Sequence, residues 1–291
     1  IAIGLQGGRL AGVPGEDAKG VESGVSFLRR INQDESIRLH GDVIVVGGGN
    51  VAIDCARTAK RKGAKSVKMI CLESRETMPA SKDEIAEAEE EGIEIINCAG
   101  PKEVEVDAKG AVSGIQFKAC LSTIDPETKR FNPVYDENQV THYEATKIIF
   151  AIGQAIEWGD LLKGTGVTFW HGNYPIADKV TYQTAEPDIF AGGDVVSGPK
   201  FAIDAIAAGK KAANFISHYV QEGQDFETGL WDRTYKPIDK EDAIIGDYDS
   251  TPRQKVSHDP ARAKTFADSR IILTEEQIRK EAARCLGCGV S

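Results

Sequence analysis

Six consecutive residues, Gly47-Gly48-Gly49-Asn50-Val51-Ala52, carry the most specific chemistry in the sequence. They read G-x-G-x-x-A, the spacing of a dinucleotide cradle. Gly47 permits a tight turn, Gly49 lets the backbone approach a pyrophosphate, and Ala52 lets a helix pack close to a strand. Asn50 and Val51 open that helix, whose free N–H groups and dipole favour an anion. Glu73 follows Ala52 by 21 residues. A carboxylate there accepts hydrogen bonds from the adenosine ribose hydroxyls and repels a 2′-phosphate, which favours NAD over NADP. Arg75, two residues on, offers the opposite chemistry, because a guanidinium pairs with phosphate.

A second constellation lies between residues 189 and 213. Ile189-Phe190-Ala191 reads as a strand that delivers Gly193 and Asp194 at its end, and a helix follows through Ala205, Ile206 and Ala207. The Asp194 carboxylate can accept hydrogen bonds from sugar-alcohol hydroxyls, and the helix start can stabilise negative charge on a reduced ring. Far along the chain, Cys285 and Cys288 stand in Cys-x-x-Cys spacing. Such a pair clasps one side of an iron–sulfur cluster or half of a zinc site, with the remaining ligands supplied from elsewhere. Cys55, Cys71, Cys98 and Cys120 are scattered singly among apolar residues and read as small buried hydrophobes.

The elements that must hold these residues alternate. Asp42-Val43-Ile44-Val45-Val46 contains a continuous apolar run, the mark of a strand buried on both faces. A helix is predicted over 50–62 and a second strand over 67–72. Ser81-Lys82-Asp83-Glu84 reads as a capping box with Ala80 and Ile85 as its staple, opening a helix that stops at Gly92. A third strand is predicted over 93–96, antiparallel strands over 102–146, and a further apolar strand over 147–153. Val21, Val25 and Leu28 fall at helical spacing and predict a helix over 21–32. Two more helices are predicted, over 201–219 and after the capping box Thr274-Glu275-Glu276-Gln277. Residues 221–250, with nine acidic and three basic residues, read as an extended surface segment. The run Glu87, Glu89, Glu90, Glu91 reads as a solvated helix face, and Trp158 as ordinary packing. The five histidines show no metal-binding spacing.

Composition narrows the classes. The chain has 291 residues, room for about two domains. Its 41% apolar content argues against disorder, and a net charge of −10 argues against sequence-independent nucleic-acid binding. No apolar run approaches the ~18 residues of a membrane span. No secretory leader is visible, so a cytoplasmic location is expected. The sequence begins Ile1-Ala2-Ile3-Gly4 and holds only Met69 and Met78, so it reads as a piece of a longer protein.

The stretch from Ile189 to Gly209 resembles the second FAD motif of the two-dinucleotide-binding flavoproteins. Ala2-Ile3-Gly4 and Phe150-Ala151-Ile152-Gly153-Gln154 resemble the two strand-end crossings where their nicotinamide domain is inserted. Val13-Pro14-Gly15-Glu16-Asp17, the segment 47–58 and Met78-Pro79-Ala80 narrow the match. Together they resemble the glutamate synthase small-subunit family, within the pyridine nucleotide-disulfide oxidoreductase superfamily. The resemblance covers about residues 1–220 and the Cys tail. It implies an α/β fold with a Rossmann-like NAD(P) domain over 40–150. Parts of an FAD domain would occupy 1–39 and 151–220, and residues 221–291 would be an acidic segment ending in the Cys-containing helix.

The resemblance also implies an NAD(P)H-dependent flavoprotein oxidoreductase in which nicotinamide exchanges a hydride with FAD and electrons pass on to iron–sulfur clusters. Partners would be an iron–sulfur or large catalytic subunit such as glutamate synthase or ferredoxin. Gly47, Gly49, Asn50, Val51, Ala52, Glu73 and Arg75 would serve the nicotinamide dinucleotide. Gly153, Gly193, Asp194, Ala205, Ile206 and Ala207 would serve FAD, and Cys285 and Cys288 a cluster. Many family members carry paired arginines where this chain has Leu72 and Glu73, and that departure favours NAD. The first FAD loop is absent, so the alternative is a nucleotide-binding or docking module without catalysis. A thioredoxin-reductase-like reading is disfavoured, because no two of Cys55, Cys71, Cys98 and Cys120 are spaced Cys-x-x-Cys.

Overall fold

The structure is a computed structural model that describes residues 1–125, 127–171, 173–221 and 251–285. The chain divides into two compact units, Ile1–Phe226 and Glu227–Ser291. The first contains β1 (Gly7–Gly8), β2 (Val21–Ser23), α1 (Gly24–Gln33), β3 (Asp42–Val46), α2 (Asn50–Arg61), β4 (Ser66–Ile70), α3 (Lys82–Glu90) and β5 (Glu94–Ile96). It continues through β6 (Ala99–Val106), β7 (Val112–Ile124), β8 (Phe131–Glu144), β9 (Lys147–Phe150) and β10 (Gln154–Ala155). Then come β11 (Phe169–Trp170), β12 (Tyr174–Pro175), α4 (Asp194–Ser197) and α5 (Ala202–Val220).

Five strands form a parallel sheet in the order β2-β9-β3-β4-β5. Its apolar run is explained by two coverings. Val43, Val45, Val67, Met69 and Ile149 face a core built with Phe27 and Ile31 of α1, Ala52, Ile53 and Ala56 of α2, and Ile85 and Ala88 of α3. Ile44, Val46, Ile70, Ile148 and Phe150 face the opposite way, onto Val104, Ile115 and Phe117 of the antiparallel sheet β6-β7-β8. Every residue of β3 after Asp42 is therefore buried, and each such side chain contributes about 1.5–3 kcal/mol of hydrophobic stabilisation.

The helix predicted over 21–32 is corrected at its start. Val21–Ser23 is an edge strand paired in parallel with Ile148, Ile149 and Phe150, and the helix begins at Gly24. The Ser23 hydroxyl accepts from the Ser26 N–H and so caps it. Spacing of apolar residues reported the helix but not the strand, because strand pairing depends on residues more than a hundred positions away.

Two short segments join this sheet to the rest of the unit. Gly7 and Gly8 pair antiparallel with Ala155 and Gln154, and the Arg9 N–H donates to Gly153 O at 3.1 Å. Beyond them, Leu5, Ile156, Ala191 and Val195 form a separate small core with Trp158 at its margin. Trp158 packs edge-on against Phe169 at 5.8 Å and donates to Asn173 O at 2.9 Å, as ordinary packing predicts. The described part of the second unit holds β13 (Ser257–His258), α6 (Pro260–Ala263), β14 (Arg270–Ile271) and α7 (Glu275–Ala283). Thr274 and Gln277 form the expected capping box of α7. The acidic stretch over 222–250 lies outside the described residues. No helix among the described residues is long and apolar enough to cross a membrane.

Candidate dinucleotide-binding site

β3 delivers Gly47 at its C-terminal end, with β4 on one side and β9 on the other. Open parallel sheets bind ligands at such a point, outside the strand ends. The Gly47 N–H donates to Ile70 O at 2.9 Å, and the Ala151 N–H donates to Val46 O at 2.8 Å, so both neighbours pin the turn. Gly47 has φ +140°, and a Cβ on it would stand 2.4 Å from Ala151 O. A Cβ on Gly48 would meet Glu73 Oε2 at 2.7 Å. Gly49 differs: the nearest atom to its Cβ position is Pro79 Cγ, at 4.0 Å. The loop is therefore closed by backbone at its first glycine and open at its third.

Gly49 is the N-cap of α2, and among the described residues no side chain caps it. The first N–H groups of a helix have no partner within the helix, so Asn50 and Val51 stand at an end suited to an anion. Ala52 and Ile53 are fully buried behind them. The segment Met78-Pro79-Ala80 wraps this loop. The Ala80 N–H donates to Gly48 O at 3.1 Å, and the Ser81 N–H donates to Asn50 Oδ1 at 2.9 Å. That second bond changes the predicted capping box. Ser81 Oγ does accept from the Glu84 N–H, but the Ser81 amide goes to Asn50 rather than to Glu84. Glu84 Oε2 is buried and finds no partner among the described residues. Burial, then the nearby Asp54 charge, push its carboxyl above the usual range, with Arg57 opposing.

Glu73 lies half-buried just past β4. Its main-chain oxygen accepts from Asn97 Nδ2 at 3.0 Å and from the Cys98 N–H at 3.1 Å, so the β5–β6 junction holds its position. Its carboxylate stands beside Gly48, within reach of the loop. Arg75 is exposed and pairs with Glu89 of α3 at 2.7 Å. The sequence names Gly48 only as a member of the glycine motif and Pro79 only within Met78-Pro79-Ala80, and it gives no signal for Asn97.

The other predicted site residues gather elsewhere in the same unit. Gly153 lies between β9 and β10, and Gly193 caps α4, where Asp194 is half-buried. A Cβ on Gly193 would lie 3.8 Å from Ala205 Cβ, so the Gly-Gly-Asp turn and the start of α5 are neighbours. Ala205, Ile206 and Ala207 are exposed, and no residue of α5 is buried. This arrangement fits one wall of a flavin site. Cys285 is exposed after α7; Cys288 lies outside the described residues. Among the described residues no three His, Cys, Asp or Glu gather as a metal-ligand group.

One charge cluster differs from expectation. Glu91, read as part of a solvated face, has a side chain only 2% exposed. Arg57 Nε reaches its carboxylate at 2.8 Å and an Arg61 guanidinium nitrogen reaches it at 2.5 Å, joining α2 to the end of α3.

A parallel Rossmann-like sheet, a glycine loop at its switch point, and the β1–β10 crossing to a partial second domain define the two-dinucleotide-binding flavoprotein fold. Residues 1–209 match the family described as "Pyridine nucleotide-disulphide oxidoreductase", and the chain belongs to it. It is 35% identical to the NADP(+)-dependent formate dehydrogenase subunit beta of Moorella thermoacetica, over 99% of this chain and 42% of that protein. It is 31% identical to the glutamate synthase (NADPH) small chain of Escherichia coli (strain K12), over 76% of this chain and 50% of that protein. The chain thus spans half or less of the length of these curated relatives. Among solved structures, FprA of Mycobacterium tuberculosis in complex with NADPH shares the fold with a TM-score of 0.58 and 15% identity. That match covers 75% of this chain and 62% of FprA.

Proposed function

We propose that the chain is the nicotinamide-dinucleotide-binding module of a flavin-dependent NAD(P)H oxidoreductase of the glutamate synthase small-subunit type. The observation that carries this reading is the loop Gly47–Ala52, closed at Gly47 and open at Gly49, at an uncapped helix start. In this reading the backbone of Gly49, Asn50 and Val51 receives the pyrophosphate, and Ala52 keeps α2 close to β3. Glu73, held by Asn97 and Cys98, accepts from the adenosine ribose hydroxyls. Arg75 already has a carboxylate partner in Glu89, which supports NAD over NADP. Asp194 and the start of α5, with Gly153 and Gly193, form the wall that receives FAD. When bound, the flavin supplies hydride acceptance from nicotinamide and one-electron release; the residues named here bind and orient.

The relatives' names as subunits support a partner that carries the final reduction: a large catalytic subunit such as glutamate synthase, or a ferredoxin. Cys285 and Cys288 would contribute two ligands to an iron–sulfur cluster whose other ligands lie elsewhere. The setting is cytoplasmic. The exposure of α5 favours a second reading, a nucleotide-binding and docking module that holds no flavin by itself. An anaerobic visible spectrum of the chain with added FAD, titrated with NADH and then NADPH, separates the two. Retained flavin that bleaches with nucleotide supports the oxidoreductase module. Flavin that washes away while NADH still binds supports the docking module, and a chain that binds neither overturns both.

A further inference from the structure

We propose that Cys98 and Cys120 form a thiol pair open to exchange with low-molecular-weight disulfides, Cys98 being the site of modification and Cys120 the resolving thiol. Cys98 stands just before β6 with φ +57°, and Cys120 lies on the neighbouring β7. Ala99 pairs with Ala119, and one step further the Cys120 N–H donates to Cys98 O at 2.8 Å. That main-chain bond sets the two backbones side by side, and a disulfide spans Cα atoms roughly 4.4–6.8 Å apart. Cys98 is exposed and Cys120 is buried, so a soluble reagent reaches Cys98 first. Burial pushes the Cys120 thiol up, against the lowering effect of its bond to Ser122 O, and the charge of Cys98 adds to the push. Cys71 is close by but occupied. Its thiol donates to Glu73 O and accepts from Asn97 Nδ2, and burial with the Glu73 charge raises it to about 12.

The exchange balances without further reagents. The Cys98 thiolate bonds to one sulfur of the small disulfide, whose S–S bond breaks and releases one thiol. Cys120, giving its proton to solvent, then attacks the Cys98 sulfur and expels the second thiol. Two protein thiols become one disulfide, and one small disulfide becomes two thiols. The Cys98 N–H is one of three donors to Glu73 O, with Asn97 Nδ2 and the Cys71 thiol, so the link pulls on the residue assigned to the ribose. This coupling, unlike the disulfide, rests on the proposed function.

The test treats the intact chain with oxidised glutathione, maps links by non-reducing peptide mass spectrometry, and measures NADH affinity before and after. A Cys98–Cys120 link is expected, with an NADH Kd raised by about fivefold or more and both effects reversed by reductant. In Cys120→Ser the reaction is expected to stop at a glutathione adduct on Cys98, and in Cys98→Ser no adduct should form on this sheet. A Cys71–Cys98 link, or a stable Cys98 adduct in the native chain, overturns the pair. An unchanged Kd in the linked chain overturns the coupling. A reduced chain that binds no NADH overturns the dinucleotide reading and the coupling with it, whereas the disulfide stands or falls on the map alone.

Discussion

The main-chain amide of Ser81 donates to the side-chain oxygen of Asn50 at 2.9 Å. The first residue of α2 therefore holds the cap residue of α3, and two segments 31 positions apart act as one loop. Asn50→Ala removes the acceptor and is expected to cost about 1 kcal/mol in urea unfolding, with weaker NADH binding by calorimetry. Asn50→Asp keeps the acceptor but adds a negative charge beside the pyrophosphate position. It should retain stability and still lose affinity; equal affinity to the parent would remove Asn50 from the site.

Gly47 and Gly49 have separable roles. Gly47→Ala puts a Cβ 2.4 Å from Ala151 O at φ +140° and should cost roughly 3 kcal/mol or more. Gly49→Ala meets only Pro79 Cγ at 4.0 Å, so its unfolding free energy should stay within about 1 kcal/mol of the parent. Its NADH affinity should nonetheless fall, because the methyl group would occupy the approach proposed for the phosphates. A Gly49→Ala chain that binds NADH normally would place the pyrophosphate elsewhere.

Nucleotide choice should turn on Glu73. Glu73→Arg exchanges repulsion of a 2′-phosphate for attraction and should move the NADH/NADPH affinity ratio toward NADPH by about tenfold or more, the worth of one charge-assisted hydrogen bond. Competitive binding of the two nucleotides reads this directly. No movement of the ratio would assign discrimination to another residue.

Glu91 should behave as a structural charge. Its carboxylate is held by Arg57 and Arg61 with the side chain 2% exposed. Glu91→Ala leaves two guanidinium groups facing an emptied, largely buried position and should cost about 3–5 kcal/mol. Nucleotide affinity in the folded fraction should change little, since the cluster lies at the far end of α2.

Acid should weaken the edge of the sheet. Burial disfavours the Glu22 carboxylate, but hydrogen bonds and charge from Arg30 and Lys147 outweigh it and hold the group below its ordinary value of 4.5. A depressed folded value gives stability that is complete above the unfolded value and lost as pH falls through the folded one. The parent should thus exceed Glu22→Gln in stability at pH 7, and the gap should close as pH drops below about 4.5. A gap that is constant with pH would mean that the glutamate acts through packing alone.

Local chemistry determined much of this molecule. The apolar run of β3, the glycines after it and the Ser81 hydroxyl cap were legible because each rests on residues a few positions apart. The order of the motifs likewise pointed to the insertion of one nucleotide domain within another. Tertiary structure alone decided the rest. Val21–Ser23 became a strand because β9 offered an edge. Glu91 was drawn inside because two arginines on a different helix converge on it. Pro79 came to lie beside Gly49, Asn97 beside Glu73 and Cys98 beside Cys120 through turns that bring distant strands together. Periodicity reports which face of an element is apolar; which partner that face meets, and which charges are trapped between, depends on packing across long stretches of chain.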